Sequence, residues 1–373
     1  MPYTSSSLRF FSVRNSLCFL SLREVICAYK RSFGVSISMA SPAMDSSSSC
    51  SLVLCGKSTV ESELAKSIKN NSALKLPDIN DVSILLQSEL EKPLQEDSDS
   101  IGVDSFMNSL STNQFGRFLI WSPWLPSTHD VVSHNFCQLP VGAVCVADAQ
   151  SRGRGRSRNV WESPRGCLMF SFTIQMEDGR AVPLLQYVVS LAITEAIKDV
   201  CDKNGLPCVD VKIKWPNDLY FNGLKIGGIL CTSTYKSKKF NVSAGIGLNI
   251  DNEKPTTCLN AILRELCVGS YQFSRQDILA TFFNKFEELY DLFINQGFQT
   301  LEELYCKTWL HSGQRVIIQE KNGDQVVENV VTIQGLTSSG YLLAIGEDNQ
   351  MCELHPDGNS FDFFKGLIKR KLE

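Results

Sequence analysis

The most constraining feature of the sequence is a run of arginine, glycine and serine, SRGRGRSRNVWESPRG at 151–166. Apolar segments flank it on both sides, VGAVCVADAQ at 141–150 and CLMFSFTIQM at 167–176, and both have the length and composition of buried strands. A strand that leads in and a strand that leads out predict a loop anchored at both ends. An arginine/glycine tract that binds RNA would instead be a longer low-complexity segment with repeated aromatic residues.

The residue types in this loop suit an anionic ligand. Glycines at 153 and 155 permit positive φ and let the backbone approach a ligand closely. Arg154 and Arg156 add forked guanidinium groups that match phosphate or carboxylate oxygens. The sequence therefore predicts a loop that closes over a phosphate-bearing ligand.

A second element, KWPNDLYFNGLKIGGIL at 214–230, gathers polar residues at a strand end. The Asn-Gly pair at 222–223 predicts a type I′ hairpin that returns Lys225 towards Asn217 and Asp218. A lysine there would neutralise charge on a phosphate during nucleotidyl chemistry. Taken alone, the element also fits a hairpin with ordinary surface charges.

A third element, AGIGLNID at 244–251, is rich in glycine and flanked by apolar residues. Its small residues would let a nucleotide base or sugar pack on the backbone. They fit equally well a core strand whose small side chains allow close packing. The element by itself does not separate these two interpretations.

The order of elements predicts an α+β fold. Strands at 117–122, 141–150 and 167–176 precede a helical pattern at 183–205, and further strands precede a second amphipathic helix at 275–297. This order favours a mostly antiparallel sheet with helices packed on it. After about residue 311 the pattern changes to short strands separated by turns, which predicts a small closed β-barrel of about 60 residues.

We divide the chain into four regions. Residues 1–50 are basic and serine-rich with few acids, which is the composition of an organellar transit peptide. Residues 51–104 are an N-terminal extension, with a strand, a helix capped by Ser58 and Glu61, and an acidic linker. Residues 105–310 form the predicted ligand-binding domain and 311–373 the small barrel. Translation from Met39 or Met44 would remove the presequence and leave the product in the cytosol.

Composition argues against several classes of protein. A net charge of -4 argues against a dedicated nucleic-acid binder, which would carry a basic field. No apolar run reaches the 18 or so residues needed to span a bilayer. The 14 cysteines form no CxxC pair and there are four histidines, so no zinc site is expected.

The combined motifs resemble the biotin protein ligase (holocarboxylase synthetase) family. They are G-R-G-R followed by N-x-W-x-S-P-x-G, then K-W-P-N-D with K-I-G-G-I-L, then G-I-G-L-N. The resemblance covers about residues 117–371, and this order of motifs is highly specific. The N-terminal segment with transit-peptide composition makes the chain most similar to plant-type members of this family. The resemblance implies a mixed sheet with helices, like that of class II tRNA synthetases, and an SH3-like C-terminal domain.

Family membership would imply an ATP-dependent ligase. Such enzymes form biotinyl-5′-AMP from biotin and ATP, with Mg²⁺ accompanying ATP, and pass biotin to one lysine of a carboxylase carrier domain. The implied partners are the biotin carboxyl carrier domains of acetyl-CoA carboxylase and methylcrotonyl-CoA carboxylase, in chloroplast and/or mitochondrion. No basic recognition helix occurs in residues 51–104, so no DNA partner is expected, and no membrane partner either.

The resemblance also assigns residues. Catalytic roles fall to Arg156 on the phosphate, Lys225 on biotin's carboxylate and the α-phosphate, and Asp218 near the incoming lysine. Trp161 should fold over the adenylate and Gln150 should contact the ureido ring or acyl-adenylate. The full substrate-binding set is Ser127, Thr128, His129, Gln150, Gly153, Arg154, Gly155, Arg156, Trp161, Asn217, Lys225, Gly247 and Asn249.

One departure and two alternatives stay open. Family members often have Asn or Met where His129 stands, so the resemblance leaves the role of His129 undefined. A lipoate–protein ligase has the same fold and is the nearest alternative enzyme. A non-catalytic protein that binds RNA or a partner through the basic loop is the alternative from another class.

Overall fold

The structure is a computed structural model that describes residues 50–370, with gaps at 77–78, 80–81, 91–99, 253, 267–269, 323–324, 357–358 and 364. The predicted transit peptide up to residue 49, both alternative start methionines and most of the acidic linker lie outside the described residues.

A nine-stranded mixed sheet is the centre of the fold. Its order is β2-β1-β3-β4-β7-β11-β10-β9-β8. The strands up to the Arg/Gly run and just after it are β1 (Cys50–Gly56), β2 (Val82–Leu86), β3 (Phe118–Ser122), β4 (Val144–Ala147), β5 (Gly153–Arg154), β6 (Val160–Trp161) and β7 (Cys167–Met176). The remaining strands of the sheet are β8 (Lys212–Lys214), β9 (Asp218–Phe221), β10 (Leu224–Lys236) and β11 (Lys239–Asn249). Within the nine-stranded sheet the pairs β1–β2 and β3–β4 are parallel and the other six pairs are antiparallel, which confirms the predicted sheet type. β5 and β6 form a separate two-stranded sheet.

Helices cover both faces of this sheet. They are α1 (Thr59–Asn70), α2 (Val103–Ser109), α3 (Thr128–His134), α4 (Leu185–Lys203), α5 (Leu259–Leu266), α6 (Arg275–Gln296) and α7 (Gln299–Thr308). Alternate residues of β3 fall into different apolar clusters, since side chains along a strand point to opposite faces. Leu119 and Trp121 join the cluster of α4 and α6, whereas Phe118 and Ile120 join that of α1 and α3.

The larger apolar cluster fixes α6 on β7. Phe170 and Phe172 of the strand meet Phe282 and Phe283 of the helix in edge-to-face contacts, with ring centroids 5.0–5.8 Å apart. Edge-to-face aromatic pairs add to the stabilisation that burial alone provides. Strand β7, in the middle of the sheet, is therefore held on one face by α6.

The segment before residue 105 joins the same sheet. β1 pairs with β3, so the sheet continues across the boundary placed at residue 104. The capping box predicted for α1 is present: the Ser58 hydroxyl caps the helix start and the Glu61 carboxylate accepts the Ser58 backbone N–H at 2.9 Å. Within the described residues no helix is long and apolar enough to cross a membrane.

Six strands form the C-terminal sheet, in the order β15-β14-β13-β12-β17-β16. Their bounds are β12 (Arg315–Asn322), β13 (Gln325–Leu336), β14 (Leu342–Gly346), β15 (Met351–Leu354), β16 (Asn359–Asp362) and β17 (Leu367–Arg370). Val316 and Ile318 of β12 belong to the large apolar cluster, so this sheet packs directly on the ligand-binding part.

Candidate functional site

The Arg/Gly run folds back on itself as a short hairpin. Gly153 pairs with Trp161 and Arg154 with Val160. A Cβ on Gly153 would stand 2.3 Å from the Trp161 carbonyl oxygen, so only glycine permits this pairing. At the tip, Ser157 has φ of 53°, a conformation that non-glycine residues rarely adopt and that is common at functional sites.

A cavity of about 280 Å³ lies under this hairpin, against the middle of the sheet. Twelve of the predicted site residues line it: Ser127, Thr128, His129, Gln150, Arg154, Gly155, Arg156, Trp161, Asn217, Asp218, Lys225 and Gly247. Gly153 instead lines a second cavity of about 1340 Å³, which shares loop residues 154–157 with the first. Three separate motifs thus converge on one place.

Asn249 does not line either of these two cavities. It lies at the end of β11 and is 2% exposed. Its amide nitrogen donates to the Thr257 carbonyl at 3.0 Å, and its amide oxygen accepts from the Cys167 thiol at 3.4 Å. Asn249 therefore holds the segment after β11 in place, and its predicted contact with a ligand stays a prediction.

One end of the cavity is strongly cationic. Lys225 Nζ lies 2.6 Å from Asp218 Oδ1, and Lys214 Nζ lies 3.9 Å from Asp218 Oδ2. Burial lowers the pKa of Lys214, and the nearby charge of Lys225 acts in the same direction against the attraction of Asp218. Two lysines share one carboxylate here, so the cluster keeps a net positive charge.

Arg156 connects the loop to two other parts of the molecule. Its Nη1 donates to Asn217 Oδ1 and its Nη2 to the Pro356 carbonyl, both at 3.2 Å. Asn217 is itself fixed, because its amide nitrogen donates to the Ile229 carbonyl at 2.6 Å. The guanidinium is therefore held at the cationic end by partners in two turns, one between β8 and β9 and the other between β15 and β16.

Trp161 forms the wall between loop and sheet. A Cβ on Gly247 would stand 2.4 Å from the indole Nε1, so the ring packs directly on bare backbone. Lys225 Nζ lies 5.3 Å from the ring centroid, within the range of a cation–π contact. The indole Nε1 is buried and has no hydrogen-bond partner among the described residues, which leaves one donor free for a ligand.

The opposite end of the cavity is neutral and closely hydrogen-bonded. The Thr128 backbone N–H donates to Gln150 Oε1 at 2.7 Å, and the Thr128 and Ser171 hydroxyls are 2.9 Å apart. The Gln150 amide nitrogen donates to the Ser163 hydroxyl at 3.0 Å, while Ser127 caps the start of α3. These bonds set the amide orientation of Gln150 and the position of the first turn of α3.

His129 completes this neutral end. Its Nε2 lies 2.9 Å from the Thr232 hydroxyl, and its buried Nδ1 lacks a hydrogen-bond partner among the described residues. Burial lowers the pKa of His129 to about 4, and the charges of Arg154 and His134 act in the same direction. The imidazole is therefore neutral near pH 7 and can donate or accept without adding charge.

Several lining residues were absent from the predicted set, namely Ser171, Lys214, Gly228, Gly245, Pro356 and Phe361. Lys214 and Gly228 belong to motifs that were recognised, so their sequence position could have pointed to them. Pro356 and Phe361 come from the C-terminal sheet, and no local pattern connects them with the Arg/Gly run.

Comparison with known proteins gives consistent matches. Residues 121–249 match the Biotin/lipoate A/B protein ligase family, and residues 311–366 match the Biotin protein ligase C terminal domain. The chain is 64% identical over 369 residues to Biotin--protein ligase 1, chloroplastic, of Arabidopsis thaliana, with 99% of both chains covered. It is 70% identical over 329 residues to Biotin--protein ligase 2 of the same plant, covering 88% of this chain and all of that relative.

A solved structure agrees with these sequence matches. A biotin protein ligase mutant from Aquifex aeolicus, in complex with biotin, has a TM-score of 0.50 and 25% identity, covering 63% of this chain and 94% of that one. The matched span, the mixed sheet with its C-terminal sheet, and the converging motifs all agree with a biotin protein ligase. The chain belongs to the biotin–protein ligase family and is an enzyme that ligates biotin.

Proposed function

We propose that the enzyme works in two steps within the one cavity, first forming biotinyl-5′-AMP from biotin and ATP, then moving biotin to a lysine. The observation that carries this proposal is the division of the cavity. Arg156, Lys214 and Lys225 face its cationic end, where Asp218 is the one carboxylate among the described lining residues. The other end is formed by uncharged hydrogen-bonding groups, with Arg154 beside them paired to Asp130 at 3.1 Å. That arrangement suits a molecule with a phosphate at one end and an uncharged ring at the other.

In the first step a carboxylate oxygen of biotin attacks the α-phosphorus of ATP. A new P–O bond forms, the bond to pyrophosphate breaks, and negative charge builds on the oxygens of the α-phosphate. The guanidinium of Arg156 and the ammonium of Lys225 neutralise that charge, and because both are already held in place they need little reorganisation. Trp161 covers the product and keeps water from the mixed anhydride.

In the second step an acceptor lysine, as its free amine, attacks the acyl carbon. An amide bond forms, the C–O bond to AMP breaks, and the proton that the amine loses passes to the released AMP phosphate or to water. Asp218 sits beside Lys225 and is placed to orient the incoming amine. A carboxylate is a much weaker base than an amine, so we assign Asp218 orientation and not proton abstraction.

Magnesium is expected to arrive with ATP. The described residues contain no group of three or more His, Cys, Asp or Glu side chains able to hold a metal ion. Among the lining residues that the structure describes, Asp218 is the one carboxylate, and it is paired with Lys225. The residues present therefore do not form a magnesium cage, and Mg²⁺ bound mainly by substrate phosphates fits this donor set.

The acceptors are the biotin carboxyl carrier domains of carboxylases, with acetyl-CoA carboxylase and methylcrotonyl-CoA carboxylase as the candidates. We place the enzyme in the chloroplast, because one relative is named chloroplastic and residues 1–50 have a transit-peptide composition. Mitochondrial import, and cytosolic product from Met39 or Met44, are tested by imaging fluorescent fusions of each predicted N-terminus.

The first step is tested by exchange of labelled pyrophosphate into ATP. Purified enzyme with Mg²⁺ is assayed with biotin, with lipoate and with neither acid. Exchange that depends on biotin supports the proposal. Exchange with lipoate would keep the mechanism and change the substrate. Absence of exchange with either acid, in protein shown to be folded, would contradict an adenylate mechanism, and salt-dependent RNA binding would then favour a binding role for the loop.

A further inference from the structure

His311, outside the cavity, is placed to fix the geometry of its cationic end. It lies just after α7, where the C-terminal part begins, and is 0% exposed. The Trp215 backbone N–H donates to its Nε2 at 2.9 Å, and its Nδ1 lies 3.0 Å from Gln314 Oε1. Because an amide oxygen accepts, Nδ1 carries the proton and Nε2 is left as the acceptor.

The surroundings of His311 preserve this arrangement. The Gln314 amide nitrogen donates to the Phe363 carbonyl at 3.2 Å, which sets the amide orientation that the tautomer requires. Burial lowers the pKa of His311 to about 4, partly opposed by its bond to Gln314. The imidazole thus stays neutral near pH 7 and keeps the lone pair that Trp215 uses.

Trp215 has a second anchor on the same side of the molecule. Its indole Nε1 donates to the Tyr187 hydroxyl at 2.8 Å, and that hydroxyl donates to the Gly340 carbonyl. Main chain and side chain of Trp215 are therefore both tied, directly or through Tyr187, to residues after 310. No described residue other than His311 accepts the Trp215 backbone N–H.

The position of Trp215 matters because Asn217 and Asp218, which pair with two cations of the cavity, follow it closely in the chain. Two residues later, Asn217 accepts from Arg156, and the next residue, Asp218, pairs with Lys225. A shift of the Trp215 peptide would move both partners of the two cations together. Misplacement of about 1 Å can reduce the rate of a catalysed step by about 100-fold.

We infer that His311 is a positioning residue for biotin ligation, acting as a hydrogen-bond acceptor from the C-terminal part to the Trp215–Asp218 turn. The role concerns the cationic end, whereas biotin's ring is assigned to the other end, so we expect a larger effect on turnover than on the KM for biotin. The inference rests on the proposed adenylate step, because pyrophosphate exchange is the assay that tests it.

Packing alone is the competing explanation. The imidazole also contacts the rings of Trp309 and Phe361, with centroids 5.3 and 5.0 Å away. If only these contacts mattered, every variant without the ring would lose the same activity, whichever atom replaced Nε2. Variants of similar size that differ in the acceptor separate the two explanations.

The test compares three variants of the full chain. His311→Gln places an amide oxygen near the position of Nε2, whereas His311→Met has a similar length and no carbonyl oxygen, and His311→Asn has the oxygen but is too short. Each is assayed for biotin-dependent pyrophosphate exchange, giving kcat and the KM for biotin, and for its melting temperature. Hydrogen exchange of the Trp215 amide, in protein labelled with ¹⁵N-tryptophan, reports the bond directly.

We expect His311→Gln to keep kcat within about threefold of wild type, while His311→Met and His311→Asn lose about tenfold or more with little change in the KM for biotin. The Trp215 amide should exchange faster in the latter two. If one of them does not fold, the other still makes the comparison. Equal kcat in Gln and Met variants, reduced or not, would overturn the inference. An inactive wild-type enzyme would instead count against the adenylate step.

Discussion

The two ends of the cavity are built in different ways. At the neutral end Thr128, Gln150 and Ser171 hydrogen-bond one another, and they belong to or directly adjoin sheet strands and α3. At the cationic end the charges come from the Arg/Gly loop, the hairpin of β9 and β10, and the last residue of β8. One of them, Arg156, also donates to the Pro356 carbonyl in the turn between β15 and β16. The difference suggests that the neutral end recognises biotin's ring before chemistry, whereas the cationic end acts on charge that appears during it.

Removing the lysine at the cationic end should have the largest effect. Lys225→Met keeps the length of the side chain and removes its charge, so we expect biotin-dependent pyrophosphate exchange to fall about 100- to 1000-fold. Lys225→Arg, which keeps the charge in a different shape, is the matched control and should lose less. If both variants kept wild-type exchange rates, charge neutralisation at this end would be excluded.

Loss of the loop guanidinium should come next. Arg156→Gly removes both hydrogen bonds that hold the loop to Asn217 and Pro356. We expect biotinyl-5′-AMP to escape about 10 to 100 times faster, because charged hydrogen bonds of this kind are worth about 1.5–3 kcal/mol. Bystander proteins would then be biotinylated on many lysines, as seen by streptavidin blotting. Strict acceptor specificity in this variant would contradict a phosphate clamp at Arg156.

A methyl group on the sheet tests the packing of the Trp161 ring between the loop and the sheet. Gly247→Ala would place a Cβ 2.4 Å from Trp161 Nε1 and must displace the indole. We expect the affinity for biotinyl-5′-AMP to fall about tenfold, because stacking and cation–π contacts of the ring are lost. Gly228 pairs directly with Gly247, and its added Cβ would meet the same ring at an ordinary 3.6 Å. Gly228→Ala should therefore weaken binding less than Gly247→Ala, and equal losses would contradict this account.

The last expected effect concerns stability and pH at the neutral end, and not catalysis. Burial holds the pKa of His129 near 4 in the folded protein, below the usual 6.5, so unfolding takes up a proton between these values. The stabilisation is fully present above pH 6.5 and is lost as the pH falls towards 4. In His129→Asn, the difference in free energy of unfolding from wild type should change by about 2 kcal/mol between pH 7 and pH 5, in favour of the variant. Urea unfolding of both proteins at both pH values measures this difference. An equal difference at pH 7 and pH 5 would contradict the lowered pKa of His129.

Local patterns predicted the parts of the fold that depend on local physics. The β7 strand has the bounds of its apolar run, Cys167–Met176, and the Asn-Gly pair forms its hairpin with φ of 45° and 81°. What escaped prediction depends on contacts between distant residues. The pairing of β1 with β3 and the approach of Pro356 to Arg156 have no sequence periodicity of their own. Asn249 is a motif residue at the end of its strand, where it hydrogen-bonds the Cys167 thiol and the Thr257 carbonyl, and its predicted ligand contact stays a prediction.

The central claim is that both ends of one cavity hold one intermediate. Calorimetric titration of biotin and of biotinyl-5′-AMP into wild type and Lys225→Met tests it most directly. We predict that wild type binds the adenylate much more tightly than biotin, and that the variant loses more affinity for the adenylate than for biotin. Equal losses for the two ligands, or an adenylate that binds no more tightly than biotin, would contradict the account.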